Sequence, residues 1–285
     1  MQPLNLNLVL ALILCIAVLV SAWCGTPAPS EAGLAIHRRL QSQEAALNAS
    51  ASPRYRPRQT NGNQIEVYFH LIRASESESA VLPWQMRQQV SYLNQYFRSS
   101  GFSFVLAGSD SQVIPGLGPV WLGTEEDYQI KQGRVGDLQT LNFYVVPAIM
   151  DGFAGYAYLD GIVLARDNFP GGRSVGYNTG KLGVHEAGHW LGLLHTFEGG
   201  CDGGDFVDDT PAEASPALGG CPFGRDTCPS PGADPIHNHM DYTNDACKYQ
   251  FTAGQSRRMY GMWVRYRLPP VGGGTPPEPS QPGGF

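Results

Sequence analysis

Val184-His185-Glu186-Ala187-Gly188-His189-Trp190-Leu191-Gly192-Leu193-Leu194-His195 contains the pattern H-E-x-x-H-x-x-G-x-x-H. On a helix, residues i and i+4 lie on one face a turn apart, so the imidazoles of His185 and His189 are set to converge on one metal ion. Glu186, the neighbour of His185, points beside that ion rather than onto it, where a carboxylate serves as general base toward water. Gly192 lets the backbone leave the helix, because a left-handed conformation costs glycine little, and the chain then swings His195 round as third ligand. Three neutral imidazoles on zinc leave a fourth position open, which marks a catalytic site and not a structural one. The bland alternative is an amphipathic helix that happens to carry histidines, and the five fixed residues weigh against it.

The surroundings of this stretch read as one domain. Ile65, Val67, Phe69 and Leu71 alternate with Glu66, Tyr68 and His70, the pattern of a half-buried strand from Ile65 to Ile72. Pro83 suits a first helical turn, and Met86, Val90, Leu93 and Phe97 recur at helical spacing until Gly101. Phe102 to Leu106 and Leu141 to Val146 read as strands, with a helix from Glu125 to Leu138 between them. Gly155 to Leu159 and Ile162 to Ala165 read as strands joined at Asp160-Gly161. This alternation predicts a mixed sheet backed by helices. Gly180 to Leu194 is the central helix. Gly199 to Pro235 is rich in Gly, Pro, Asp and Cys without a sustained period, so it is expected to be a long irregular loop held by something other than a core. Thr252 and Gln255 form a capping-box pattern for a last helix toward Tyr266.

The ends of the chain differ from its middle. Leu8 to Val20 is an unbroken apolar run of 13 residues followed by Ser21 and Ala22, which reads as a secretory signal over 1–22. An uncleaved anchor would need about 20 such residues. A lipidated Cys24 would follow the bulky Trp23, which is the wrong neighbour for that processing. Residues 23–60 are polar, carry Arg38-Arg39 and a possible glycosylation acceptor at Asn48-Ala49-Ser50, and suit a removable prosegment. The domain proper is expected over 61–268, and the Pro/Gly-rich tail over 269–285 is expected to be disordered. With 285 residues, 15% of them charged, and a net charge of -6 without any Lys/Arg cluster, the chain offers no footprint for nucleic acid.

Downstream of the motif, Asn238-His239-Met240-Asp241-Tyr242 places Met240 in a turn, either as a plain core residue or as the methionine that packs beneath such a metal site. Tyr242 either donates to a developing oxyanion or simply packs. His37, His70, His237 and His239 read as surface or hydrogen-bonding residues rather than ligands. Cysteines stand at 15, 24, 201, 221, 228 and 247; the last four fall in the irregular region, where disulfides are the expected staples, with three possible connectivities. Asp202, Asp205, Asp208 and Asp209 crowd one loop, as a solvated acidic turn or as a calcium site.

His185 to Cys201, Asp205 to Pro211, Met240 to Cys247 and Phe251-Thr252-x-x-Gln255 together resemble the pappalysin family of metzincin peptidases, in particular its secreted fungal members, from about Ile65 to Met259. The resemblance implies an α+β fold: an upper subdomain with a mixed twisted sheet, backing helices and the active-site helix, above a small irregular lower subdomain with one terminal helix. It implies that the edge strand around Gly155-Tyr156-Ala157 pairs with extended substrate backbone. It also implies the pairing of Cys201 with Cys228 and of Cys221 with Cys247, a Met-turn at Met240, and calcium held by Asp205, the Val207 carbonyl and Thr210. Some zymogens of the family use a cysteine to block the metal, a role open to Cys24 alongside an intermolecular bridge or a free thiol.

The function expected is secreted, zinc-dependent cleavage of polypeptides by a monomer, with Glu186 as general base and no membrane attachment after loss of the signal. A zinc-bearing binding protein without turnover is the rival from another class, and a zinc hydrolase of non-peptide amides is the third.

Overall fold

The computed structural model describes residues 24–50 and 63–268, without the side chains of residues 44–50. The expected leader over 1–22, the remainder of the expected prosegment, the Asn48 side chain and the tail over 269–285 lie outside the described residues.

Five strands form one sheet in the order β2-β1-β3-β5-β4: β1 (Gln64–Arg73), β2 (Ser103–Val113), β3 (Leu141–Val146), β4 (Gly155–Tyr158) and β5 (Gly161–Ala165). β1 pairs in parallel with β2 and β3, β3 pairs in parallel with β5, and only β4 runs antiparallel, at the edge. The alternation predicted for β1 holds as far as Phe69 and then fails, because His70, Leu71 and Ile72 are all buried. Both faces of the sheet are covered at that point, so period two gives way to continuous burial. β2 runs seven residues beyond the expected Leu106, with a bulge opposite Val67/Tyr68. Its extension is polar because it is the other edge and mostly exposed, which hid it from a hydrophobic reading.

One face of the sheet carries the main core. Ile65, Val67, Phe69, Phe143 and Leu164 pack against α2 (Pro83–Phe97), through Met86, Leu93 and Phe97, and against α4 (Lys181–Trp190), through Val184 and Trp190. Pro83 opens α2 as expected, and the Gln85 side chain accepts from the Leu82 N–H at 2.7 Å. The other face carries a second core of Ile72, Val120, Ile130, Tyr144, Tyr156 and Val163. Here α3 (Glu125–Lys131) starts at the Thr124 cap but stops seven residues short of the expected end, ahead of Gly133 and Gly136, the latter at φ 73°.

The last helix, α5 (Ala253–Tyr266), begins with the predicted box: Gln255 N–H donates to Thr252 Oγ1 at 3.0 Å and Thr252 N–H to Gln255 Oε1 at 2.9 Å. Among the described residues, 199–250 hold no longer element than a short 3-10 turn, Gly200–Asp202, with the isolated bridges Gly219 to Thr243 and Asn238 to Gln250. Both expected disulfides are present, Cys201–Cys228 and Cys221–Cys247. Arg225 adds a hub that periodicity does not reveal, donating to Glu213 and Asp234 and to the Ser215 carbonyl. One further departure concerns the stretch expected to be a prosegment, which folds as α1 (Glu31–Ser50), with Ser30 Oγ accepting from the Gly33 N–H at 3.2 Å. Among the described residues no helix is long and apolar enough to cross a membrane.

Candidate metal centre

The helix of the motif is shorter than the sequence suggested. α4 ends at Trp190, and Gly192 takes φ 87°, the left-handed turn its place in the motif requires. A Cβ on Gly192 would lie 2.6 Å from Met262, so α5 closes on the turn as well. Gly188, a free position of the motif, is constrained too: its Cβ would sit 2.5 Å from the sulfur of Met240, which lies fully buried beneath α4 as a Met-turn would.

After that turn the three imidazoles meet. His189 Nε2 lies 3.2 Å from His185 Nε2 and 3.0 Å from His195 Nε2. Each ring donates its Nδ1–H away from the cluster: His185 to the His239 carbonyl at 2.6 Å, His189 to the Leu193 carbonyl at 2.8 Å, and His195 to Glu198 Oε2 at 2.9 Å. Carbonyls and a carboxylate only accept, so these bonds fix the tautomers and leave three Nε2 lone pairs facing one another. Burial, followed by the neighbouring imidazoles, holds His185 and His189 well below the ordinary histidine range, in the neutral form that binds metal. A tetrahedral ion with 2.0–2.1 Å bonds spaces its ligand nitrogens about 3.3 Å apart, so the donor set fits zinc.

Cys24 joins the cluster. Its sulfur and the three imidazoles offer ligand atoms that all lie within 4.8 Å of one another. The backbone around it is pinned: Gly25 N–H donates to the Gly155 carbonyl at 2.7 Å, Ala157 N–H to Thr26 Oγ1 at 2.9 Å, and Tyr242 OH to the Cys24 carbonyl at 3.1 Å. The edge strand expected to receive substrate thus receives the chain's own residues 24–26, parallel to β4. Burial, then the adjacent Glu186 charge, pushes the Cys24 thiol well up. A cation among these donors reverses that preference, since it binds the thiolate.

Glu186 is fully buried, and burial pushes its carboxyl up to about 7. Its Oε2 accepts from Thr26 Oγ1 at 3.0 Å, with the Cys24 thiol at 3.5 Å, while Oε1 has no hydrogen-bond partner among the described residues. Tyr242 OH stands 3.2 Å from His195 Nε2, within reach of the cluster, and burial keeps it a phenol.

The residues of the expected calcium set lie together near the start of α5. Asp205 Oδ1 accepts from the Val207 N–H at 3.0 Å and Oδ2 from Gln255 Nε2 at 2.8 Å, and the Thr210 hydroxyl faces Thr252. The remaining histidines are not surface residues as a group. His37 and His239 are wholly buried, His70 bridges Asp110 and Asn142, and His237 is half-buried beside the Cys221–Cys247 disulfide. Sequence reasoning missed Glu198, which orients His195, and Phe197, whose ring stacks on it at 4.8 Å. An acid three residues beyond a ligand histidine was the available signal for Glu198. Thr26 left none.

Comparison with known proteins agrees with this geometry. A peptidase family profile described as pregnancy-associated plasma protein-A matches residues 165–263. The chain is 40% identical over 262 residues to an extracellular metalloprotease of Pyricularia oryzae, covering 86% of this chain and 89% of that one. It is 39% identical to an extracellular metalloprotease of Neurospora crassa, covering 86% and 88%. Among solved structures, mature mirolysin of Tannerella forsythia in complex with a cleaved peptide superposes with a TM-score of 0.59 at 26% identity, covering 70% of this chain and 91% of that one. A promirolysin mutant shares the fold, with a TM-score of 0.61 at 24% identity over 84% and 93%. The helix that brings His185 and His189 together, the glycine turn to His195 and the relatives that span nearly the whole chain agree: this is a member of the pappalysin family of metzincin metallopeptidases.

Proposed function

We propose that the chain is a secreted zinc endopeptidase with Glu186 as general base, folded in its latent precursor form. The observation that supports this most is the convergence of three Nε2 lone pairs whose Nδ1–H groups are each committed elsewhere. Zinc held by His185, His189 and His195 would supply a Lewis acid that acidifies water and polarises the scissile carbonyl. Glu186 takes the proton of the attacking water, and the same carboxyl returns it to the leaving amine. Tyr242, a buried phenol beside His195, donates a hydrogen bond to the oxygen that gains charge. β4 offers its free edge to an extended polypeptide once residues 24–26 have left it. Secretion is supported by the names of the fungal relatives and by the leader over 1–22.

Latency rests on Cys24. Its sulfur and the three imidazoles offer ligand atoms within 4.8 Å of one another, and Thr26 Oγ1 donates to Glu186. Cys24→Ser is expected to show peptidase activity before the prosegment is cut, measured on a fluorogenic peptide with and without a zinc chelator; equal latency in both forms leaves steric blocking alone. Metal analysis that finds zinc together with no turnover after prosegment removal would favour the binding-protein reading. Calcium at Asp205, Val207 and Thr210 is a separate proposal, supported by the buried Asp205 carboxyl, which burial pushes up to about 7 and a cation would hold ionised. A calcium-selective chelator lowers Tm if that is right, and leaves it unchanged if the loop is an acidic turn.

A further inference from the structure

The prosegment is held at two places, and only the first is at the metal. The second is the face of α1 that lies on α5 and on the loop before Thr210. His37 is wholly buried in that contact, the most enclosed polar side chain described on α1. Its Nδ1 accepts from Arg258 Nη1 at 2.9 Å, and Arg258 Nη2 donates to the Phe206 carbonyl at 2.7 Å. Around this centre, Arg38 stacks over the Phe206 ring at 5.7 Å and Gln41 Nε2 donates to Asp208 Oδ1 at 2.8 Å.

An imidazole that accepts from a guanidinium must be neutral at that nitrogen. Its proton then sits on Nε2, which is buried without a hydrogen-bond partner among the described residues. Protonation would place a second N–H at Nδ1, aimed at the Arg258 donor, and would bury two like charges side by side. Among the described side chains, the charged and titratable groups around this contact are Arg258 from α5, Asp205, on which the Arg258 charge acts, and Asp208 from the loop, and Arg38 from α1 itself. Of these, Arg258 acts on His37 directly, and it opposes the charged ring.

We propose that His37 is an acid-labile anchor: its neutral ring fastens the prosegment helix to Arg258 of the terminal helix, and protonation of that ring releases the helix. The inference rests on the reading of residues 24–50 as a prosegment and adds to it the condition for release. The face bared on α5 and the 205–208 loop is then the docking surface for residues 31–43 of this same chain.

The sign follows from linkage. Burial first, then Arg258, lowers the His37 pKa from 6.5 to about 3, so the released state binds more protons. Docking is therefore fully supported above pH 6.5 and weakens as pH falls from there toward 3. With those two values, the opening equilibrium of α1 rises about 25-fold between pH 7 and pH 5.

The test is hydrogen exchange of residues 31–43 in the full zinc-loaded chain carrying Glu186→Gln, so that nothing is cut, with rates corrected for intrinsic exchange at each pH. Adding Cys24→Ser removes acid release of the thiolate as a second cause. Protection should fall about 25-fold from pH 7 to pH 5 with His37 present, and His37→Gln should hold it nearly constant. An equal fall in His37→Gln, or no fall in either, overturns the proposal. If His37→Gln fails to dock at pH 7, histidine-labelled NMR of the unsubstituted precursor decides: a His37 ring that titrates below pH 4.5 upholds the anchor, and one near 6.5 refutes it. These measurements read docking and not activity, so their failure leaves the latency role of Cys24 standing, and a silent Cys24→Ser precursor leaves the anchor standing.

Discussion

The sheet-and-helix part of the molecule and the irregular part over 199–250 are held by different physics. In the first, apolar side chains at periods of two and 3.6 lock β1, β3 and β5 against α2 and α4. In the second, the apolar cluster is little more than Ala217, Ile236 and Cys247, and order comes from two disulfides and the forked ion pairs of Arg225. The metal centre lies on the seam. His185, Glu186 and His189 come from a helix locked by apolar packing, whereas Tyr242 comes from the cross-linked side and His195 sits at the crossing. The chemistry is thus built by the rigid half and completed by the stapled one.

The largest effect should come from the rigid half. Glu186→Ala is expected to cut kcat/KM by ~10²- to 10⁴-fold, with zinc content and the unfolding curve unchanged in the processed enzyme. Wild-type turnover at full zinc occupancy would remove Glu186 from the mechanism.

Two stability variants break the comparison directly. Leu93→Ala empties a fully buried site in the main core and should cost about 2–5 kcal/mol, with protection lost across the sheet in one step. The double change Cys201→Ser and Cys228→Ser should cost about 3 kcal/mol, but exchange should rise first over 199–235 while α2 stays protected. Identical exchange patterns for the two would mean that the halves are one cooperative unit.

The smallest effect sharpens the seam. Glu198→Ala frees the His195 ring and should weaken zinc about 10- to 100-fold in competition with a chromophoric chelator. An unchanged affinity would mean that the stack on Phe197 alone orients His195.

The same division explains what could be read from sequence. His185, Glu186, His189 and His195 were legible because eleven consecutive residues encode both the helix and its exit. α2 and α5 were legible from Pro83 and from the Thr252–Gln255 cap. The strand order was not, since β1 pairs with β3 across more than sixty residues and nothing local records it. Polar edge residues concealed the second half of β2, and α1 was missed because, among its described side chains over 31–43, the buried face amounts to little beyond Gly33 and His37. Arg225 could not be found from its neighbours, as its partners Glu213 and Asp234 lie on either side in an unpatterned loop.

Arg267 carries one more consequence. Its guanidinium lies 3.5 Å over the Trp190 ring, donates twice to the Trp190 carbonyl, and reaches the carbonyls of Leu138 and Leu159. It therefore closes the carboxyl end of α4 from outside, as a bolt shot from that helix end across two otherwise separate loops. For anyone trimming the protein for expression or fusing a partner to it, this sets the boundary. A chain cut after Leu268 keeps the bolt, whereas one cut after Tyr266 leaves the last turn of the metal-bearing helix with a buried carbonyl and no donor.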